Sequence, residues 1–201
     1  MRTTGWVIMT FLSVAVAAYA AAVLLVPGFG PPFVADRRAI VPLAVIAHLA
    51  GGLTALALGP WQLNRWLRTR YLARHRWIGK AYVVAVMIGG LGGLALAPLA
   101  QEGFASHIGF GLLATLWLAA TLLAYRSIRD GDHGRHREWM IRSFAMTLAA
   151  VTLRIYIPLS VIAGIPFNEA YPAIAWLCWV PNLILAEWFI LDRRRVPDAI
   201  A

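Results

Sequence analysis

The sequence predicts an all-α integral membrane protein, a six-transmembrane helix bundle, and three observations carry that prediction. Hydrophobic residues make up 61% of the 201 positions and charged ones only 13%, where a soluble domain carries about 25%. The mean hydropathy is +0.70. Six apolar runs, at 6–26, 39–62, 81–100, 103–125, 139–166 and 172–191, match the ~20 residues a helix needs to cross a bilayer. They lack period-2 alternation and are too long for barrel strands. The bundle is expected to form one domain, 1–201, with runs two to five as its core and runs one and six outside.

Run one has Arg2 ahead of it and Ala18-Tyr19-Ala20 near its end, as a signal peptide would. Its apolar stretch continues to Val26, so an uncleaved, lipid-facing anchor helix is expected. Pro27 to Pro32 ends it in a loop. Run two holds His48, then Gly51 and Gly52, and closes on Gly59-Pro60-Trp61-Gln62. Run three contains Gly89-Gly90-Leu91-Gly92-Gly93, which suits close helix packing or, alternatively, room for a flat cofactor. Run four opens on Ser106-His107-Ile108-Gly109-Phe110-Gly111. Run five carries Arg142, Arg154 and Pro158, the last an expected kink. Run six carries Asn182, Glu187 and the single cysteine, Cys178, which excludes an intramolecular disulfide.

The net charge of +9 raises nucleic acid as a partner in a soluble protein. Here the cations gather in alternate loops and act as a topology signal. Arg65, Arg68, Arg70, Arg74, Arg76 and Lys80 lie between runs two and three. Arg126, Arg129, Arg135, Arg137 and Arg142 surround the junction of runs four and five, and Arg193, Arg194 and Arg195 follow run six. The other side holds Arg37 and Arg38 with Asp36, Glu102 and Glu169. This places the chain in the inner membrane with both termini cytoplasmic, its partner the lipid bilayer and not nucleic acid. Trp61, Trp66, Trp77, Trp139 and Trp188 map to the cytoplasmic edge as an interfacial belt.

Two stretches mirror each other. Arg74-His75-Arg76-Trp77-Ile78-Gly79-Lys80 forms a basic loop leading into run three, and Arg135-His136-Arg137-Glu138-Trp139-Met140-Ile141-Arg142 leads into run five. Among the five histidines, His48 and His107 then form an outer pair and His75 and His136 an inner pair, one per helix over four helices. A b-type haem iron takes one imidazole from each of two facing helices. His75, His136, His48 and His107 are therefore the candidate axial ligands, and Arg74, Arg76, Arg135, Arg137 and Arg154 the candidates for anionic groups such as propionates. Gly51 and Gly52 after His48, Gly79 after His75 and Gly111 after His107 clear a helix face beside three of these histidines. At ~1.5 Å per residue His48 lies about 12 Å inside Ile40 but His107 only about 5 Å inside Phe104, so the outer pair is uneven in depth. The competing reading is that Arg-flanked histidines at the interface simply meet headgroups and water. His133 is expected to be solvated, with Asp130, Asp132, His133 and His136 at most a weak metal site. Arg142 and Glu187 share a depth and are expected to form a structural ion pair.

Together, His48 with Gly51-Gly52 and Gly59-Pro60-Trp61-Gln62, His75 to Tyr82, Gly109-Phe110 before Trp117, His136 to Ser143 and Leu153-Arg154 resemble the mostly bacterial membrane-protein family catalogued as domain of unknown function 2306. The resemblance covers about residues 45–160 and implies a multi-pass membrane protein with no assigned activity. The histidine alternation is similar, in architecture only, to the ascorbate-reducible dihaem cytochrome b family. Two functions are thus in view. One is transmembrane electron transfer through haem b, a membrane oxidoreductase with quinone or a cytoplasmic reductant as partner. The other is a non-redox small transporter or anionic-lipid-binding protein using the Arg clusters. No nucleotide motif, nucleophile triad or thiolate metal site supports a hydrolase or ATPase.

Overall fold

The computed structural model describes residues 3–195. Arg2 lies outside these residues, as do the side chains of Arg193, Arg194 and Arg195. The described chain is all-helical, with six spans long and apolar enough to cross a membrane. They comprise α1 (Thr3–Leu25), α3 (Pro42–Gln62), α5 (Leu72–Leu96) with a 3-10 turn (Ala97–Leu99), α6 (Phe104–Arg129), α7 (His133–Thr147) with α8 (Ala149–Ile162), and α9 (Phe167–Leu177) with α10 (Val180–Arg195). Two short helices, α2 (Pro32–Ile40) and α4 (Arg65–Arg70), occupy what hydropathy alone reads as loops.

The basic entrances are helix, not loop, and this corrects the boundaries read from hydropathy. The third span starts at Leu72, nine residues before the apolar run at 81, and the fifth starts at His133 rather than 139. Caps explain it. Asp132 accepts a hydrogen bond from the Arg135 amide at 2.8 Å and starts α7 just after Gly131, whose φ of 80° ends the preceding turn. Asn64 does the same for α4, accepting from the Leu67 amide at 3.2 Å. His75 and His136 therefore sit on rigid helical turns.

The fifth span breaks at Leu148, whereas Pro158 lies inside α8. Back-bonding hydroxyls flank that break. Thr147 donates to the Ser143 carbonyl and Thr152 to the Leu148 carbonyl, the side-chain back-bonding that bends helices. Asn182 of α10 meets the break from outside, donating to the Ala145 carbonyl at 3.3 Å and bonding Thr152. The sixth span breaks between Leu177 and Val180. Pro181 has no amide hydrogen to continue the ladder there.

Helices α3, α5, α6 and α7 surround one core of Ala55, Tyr82, Val86, Trp117, Ala120 and Phe144. Helix α1 packs outside it through Ala17, against Leu56 of α3 and Val151 of α8. Its Val7, Ile8, Phe11 and Val14 are exposed, as lipid-facing residues are. Helices α8 and α9 close a second cluster around Ala149, Ile174 and Cys178.

The glycines set the spacing of α3 and α5. A Cβ on Gly51 would lie 2.4 Å from the Ala85 carbonyl oxygen and the Gly89 nitrogen, and one on Gly92 2.6 Å from the His48 nitrogen. At Gly51 the space after His48 is thus occupied by α5, and Gly51, Gly89 and Gly92 serve close helix packing. Such backbone contact is how membrane helices associate without a hydrophobic drive between them. Gly52, one position away, has no neighbour within 4 Å. We expect Gly51→Ala to force the helices apart and lower stability by ~1–3 kcal/mol, while Gly52→Ala is neutral or better. Thermal unfolding of the two variants in one detergent checks the contrast, and equal melting temperatures would refute it.

Candidate functional site

The basic end of the four-helix core gathers the polar side chains that the sequence scatters over 80 positions. On α5, His75, Gly79 and Tyr82 fall at i, i+4 and i+7 and share a face. On α7, His136, Met140, Ser143 and Thr147 repeat that pattern. At the first level inward from the entrance stands His136, whose Nδ1 donates to the Ala124 carbonyl of α6 at 2.8 Å. A carbonyl only accepts, so neutral His136 keeps its proton on Nδ1 and leaves Nε2 bare. His75 has no such partner: its Nδ1 is buried and unbonded. Arg68, Arg76 and the His136 ring are the ionisable groups near it.

One turn further in, Gln62 closes α3. A Cβ on Gly79 would lie 3.2 Å from Gln62 Oε1, so only glycine admits the amide here without a shift. Gln62 is 8% exposed and its Nε2 is buried without a partner. The next level is fully satisfied. Tyr82 Oη lies 3.0 Å from Ser143 Oγ and 2.8 Å from Thr147 Oγ1. Thr121 Oγ1 lies 2.6 Å from Ser143 Oγ, and Trp117 Nε1 donates to Thr147 Oγ1 at 3.0 Å. The result is a line of polar groups running from the basic end towards the middle of the span, complete at its inner end and short of partners at its mouth.

A collar of guanidiniums surrounds that mouth. Burial, followed by the charges of Arg137 and Arg65, pushes Arg68 below the ordinary guanidinium value. Arg76 and Arg137 are exposed. Arg74 stacks over Tyr71 at 4.8 Å, and the exposed Arg135 lends its amide to Asp132. Arg142 lies deeper, clamped by Glu187 through Nε–Oε1 at 2.5 Å and Nη2–Oε2 at 2.9 Å, with its guanidinium over Trp139 at 4.6 Å. Glu138 adds a longer contact at 3.8 Å.

The other candidates lie elsewhere. His48, exposed on the outside of the bundle, donates Nδ1–H to the Gly89 carbonyl at 3.0 Å and lies against Gly93 of α5. His107 spends Nε2 on the Ala100 carbonyl at 2.9 Å, holding the turn that precedes α6. Arg154 donates to the Ala150 carbonyl and sits over the Tyr19 ring at 5.0 Å, its Nε buried and unbonded. Exposed His133 bonds the Gly131 carbonyl. Among the described residues, no three His, Cys, Asp or Glu side chains come together to hold a metal ion. Sequence reasoning passed over Gln62, Tyr82, Thr121, Ser143 and Thr147 as site residues. For Tyr82 and Ser143 the signal was present, since each follows its histidine by seven residues.

The helical order, the two His-Arg entrances and their placement at one end stand over a match to a family model that spans residues 45–190. The chain belongs to the DUF2306 family of predicted membrane proteins. The match runs beyond position 160 and takes in α9 and most of α10, so Asn182 and Glu187 fall inside the family region. No curated protein and no solved structure matches the chain. For this DUF2306 protein the Arg142–Glu187 pair can be measured by a double-mutant cycle. We expect Glu187→Gln and Arg142→Met each to destabilise, and the double variant to recover at least ~1 kcal/mol relative to their sum. Strict additivity in chemical denaturation would show that the pair contributes nothing.

Proposed function

We propose that this multi-pass membrane protein is a non-redox carrier that takes up a small anion from the cytoplasm at the mouth formed by Gln62, His75 and His136. The observation that carries the reading is the pair of buried, unpartnered polar atoms, Gln62 Nε2 and His75 Nδ1, beneath a collar of guanidiniums. A buried donor without a partner costs ~1–3 kcal/mol. A bound oxygen acceptor relieves that cost, and Arg68, Arg76 and Arg137 favour one that is anionic. Beyond the mouth, the hydroxyls of Thr121, Ser143, Thr147 and Tyr82 continue the polar line inward. These hydroxyls are satisfied by one another and hold the floor of the mouth in place.

The test uses purified protein with sodium phosphate or sodium citrate, against chloride at matched ionic strength. One of the two oxyanions should raise the melting temperature of the wild type. Gln62→Met and His75→Leu should remove that rise, and His133→Ala should keep it. No rise with either anion, or an equal rise in all variants, overturns the reading. The orientation is tested separately: reporter fusions after Arg70 and Arg129 should report cytoplasm, and one after Glu102 should not.

One observation favours a second reading, a b-type haem at the same end for electron transfer to or from a quinone or cytoplasmic reductant. Fixing Nδ1 of His136 on a backbone carbonyl leaves Nε2 free, the arrangement of metal-ligating histidines, and His75 stands at the matching entrance. The outer histidines fit a porphyrin less well, because α5 occupies the space at Gly51, Nδ1 of His48 is spent on Gly89 and Nε2 of His107 on Ala100. Haem would supply a one-electron carrier; His75 and His136 would hold it. Protein from haem-supplemented cells should then show a sharp reduced α-band that His75→Ala and His136→Ala each remove. Colourless, folded protein excludes this reading and leaves the carrier.

A further inference from the structure

Away from that mouth, the outer surface of the bundle carries a groove of about 480 Å³ between α3 and α5. Its floor is made by small residues, Ala50 and Gly51 on α3 and Ala81 and Ala85 on α5. It exists because Gly51 and Gly89 let the two backbones touch, leaving the flanking positions too small to cover the seam. Thr54 turns its hydroxyl inward to the Ala50 carbonyl at 2.8 Å, so its polar atom is satisfied. Along α5 the groove runs from Trp77 to Ile88. At 1.5 Å per residue that is about 16 Å, roughly half of a ~30 Å hydrocarbon core. The groove is therefore the length of one leaflet.

Its two ends differ. Ile88 closes the deep end with an apolar side chain, while the end at the basic face holds Trp77 and Lys80. Trp77 is 72% exposed, and the Lys80 ammonium lies 4.8 Å from its ring centre. Arg76 is one turn from Lys80 on the same helix and also exposed. Between Asp36 and Glu102 the chain has no acidic residue at all, so no carboxylate of α3, α4 or α5 competes for these cations. An apolar trough one leaflet long that ends in a cation and an interfacial indole is complementary to a single lipid: acyl chain in the trough, phosphate at the ammonium. We infer that the α3–α5 groove is a specific site for an anionic phospholipid of the leaflet at the basic face, with the headgroup phosphate held by Lys80.

Native mass spectrometry of the full chain, offered equal amounts of dioleoylphosphatidylglycerol and dioleoylphosphatidylcholine, tests this. The wild type should retain one phosphatidylglycerol in preference to phosphatidylcholine. Lys80→Gln should cut that preference about fivefold, the effect of one basic residue near an anionic headgroup. Ala81→Phe points outward from the core and should reduce retention of both lipids by filling the trough. Arg129→Ala, at the same face but on α6, should leave retention unchanged. A second readout does not depend on the trough-filling variant folding. Acyl-brominated phosphatidylglycerol should quench the fluorescence lost in Trp77→Phe more than brominated phosphatidylcholine does at the same mole fraction. Equal retention and quenching by the two lipids overturns the site as an ordinary lipid annulus. So does a Lys80→Gln variant that keeps the preference, or a dimer mass that Ala81→Phe abolishes, which would make the groove an interface between two copies.

Discussion

The contact of α3 with α5 through bare backbone is the constraint from which the rest of the architecture follows. In a bilayer, lipid tails are as apolar as leucine, so helices gain nothing by merely hiding apolar surface from one another. What holds them is close van der Waals approach, and Gly51, Gly89 and Gly92 permit it at the centre of the bundle. The same approach directs His48 onto the Gly89 carbonyl and opens the seam that becomes the lipid-facing groove. It also brings the end of α3 against Gly79, which buries Gln62 at the mouth of the core. One packing event thus serves stability, the groove and the candidate site together.

Polarity inside the bundle is distributed in two ways. The Tyr82, Thr121, Ser143, Thr147 and Trp117 groups answer one another and tie α5, α6 and α7 into one unit. Asn182 likewise answers the carbonyl at the Leu148 break and ties α10 to α7. At the mouth this completeness stops, with Gln62 and His75 each holding an unused atom. Arg154, on the opposite side of the break, shows a related imbalance, since its π partner Tyr19 and the Ala150 carbonyl leave its Nε unbonded. Ser13 and Ser106 also keep a buried hydroxyl without a partner, so what sets the mouth apart is that two such groups stand together under a collar of guanidiniums.

Composition, run length and the clustering of arginines determined on their own that this chain is a six-span helical bundle with one strongly basic end, because the bilayer admits few alternatives. The residues marking that end, His75 and His136 with their flanking arginines, were equally legible, as was the common depth of Arg142 and Glu187. Hydropathy could not find the true helix starts. Leu72 and His133 begin turns too polar for hydropathy to mark, and the start of α7 is set by a local hydrogen bond, the Asp132 cap, rather than by apolar content. Nor could periodicity choose between a glycine face cleared for a cofactor and one cleared for a neighbour. The space beside a glycine belongs to the partner helix, and at Gly51 and Gly92 it is α5 and α3 that occupy it. The involvement of Gln62 and Thr121, far from either histidine in the chain, follows from the arrangement of α3, α5, α6 and α7 around a common axis. Only tertiary structure decides which helices are neighbours, because contact between distant segments leaves no periodic trace in a single sequence.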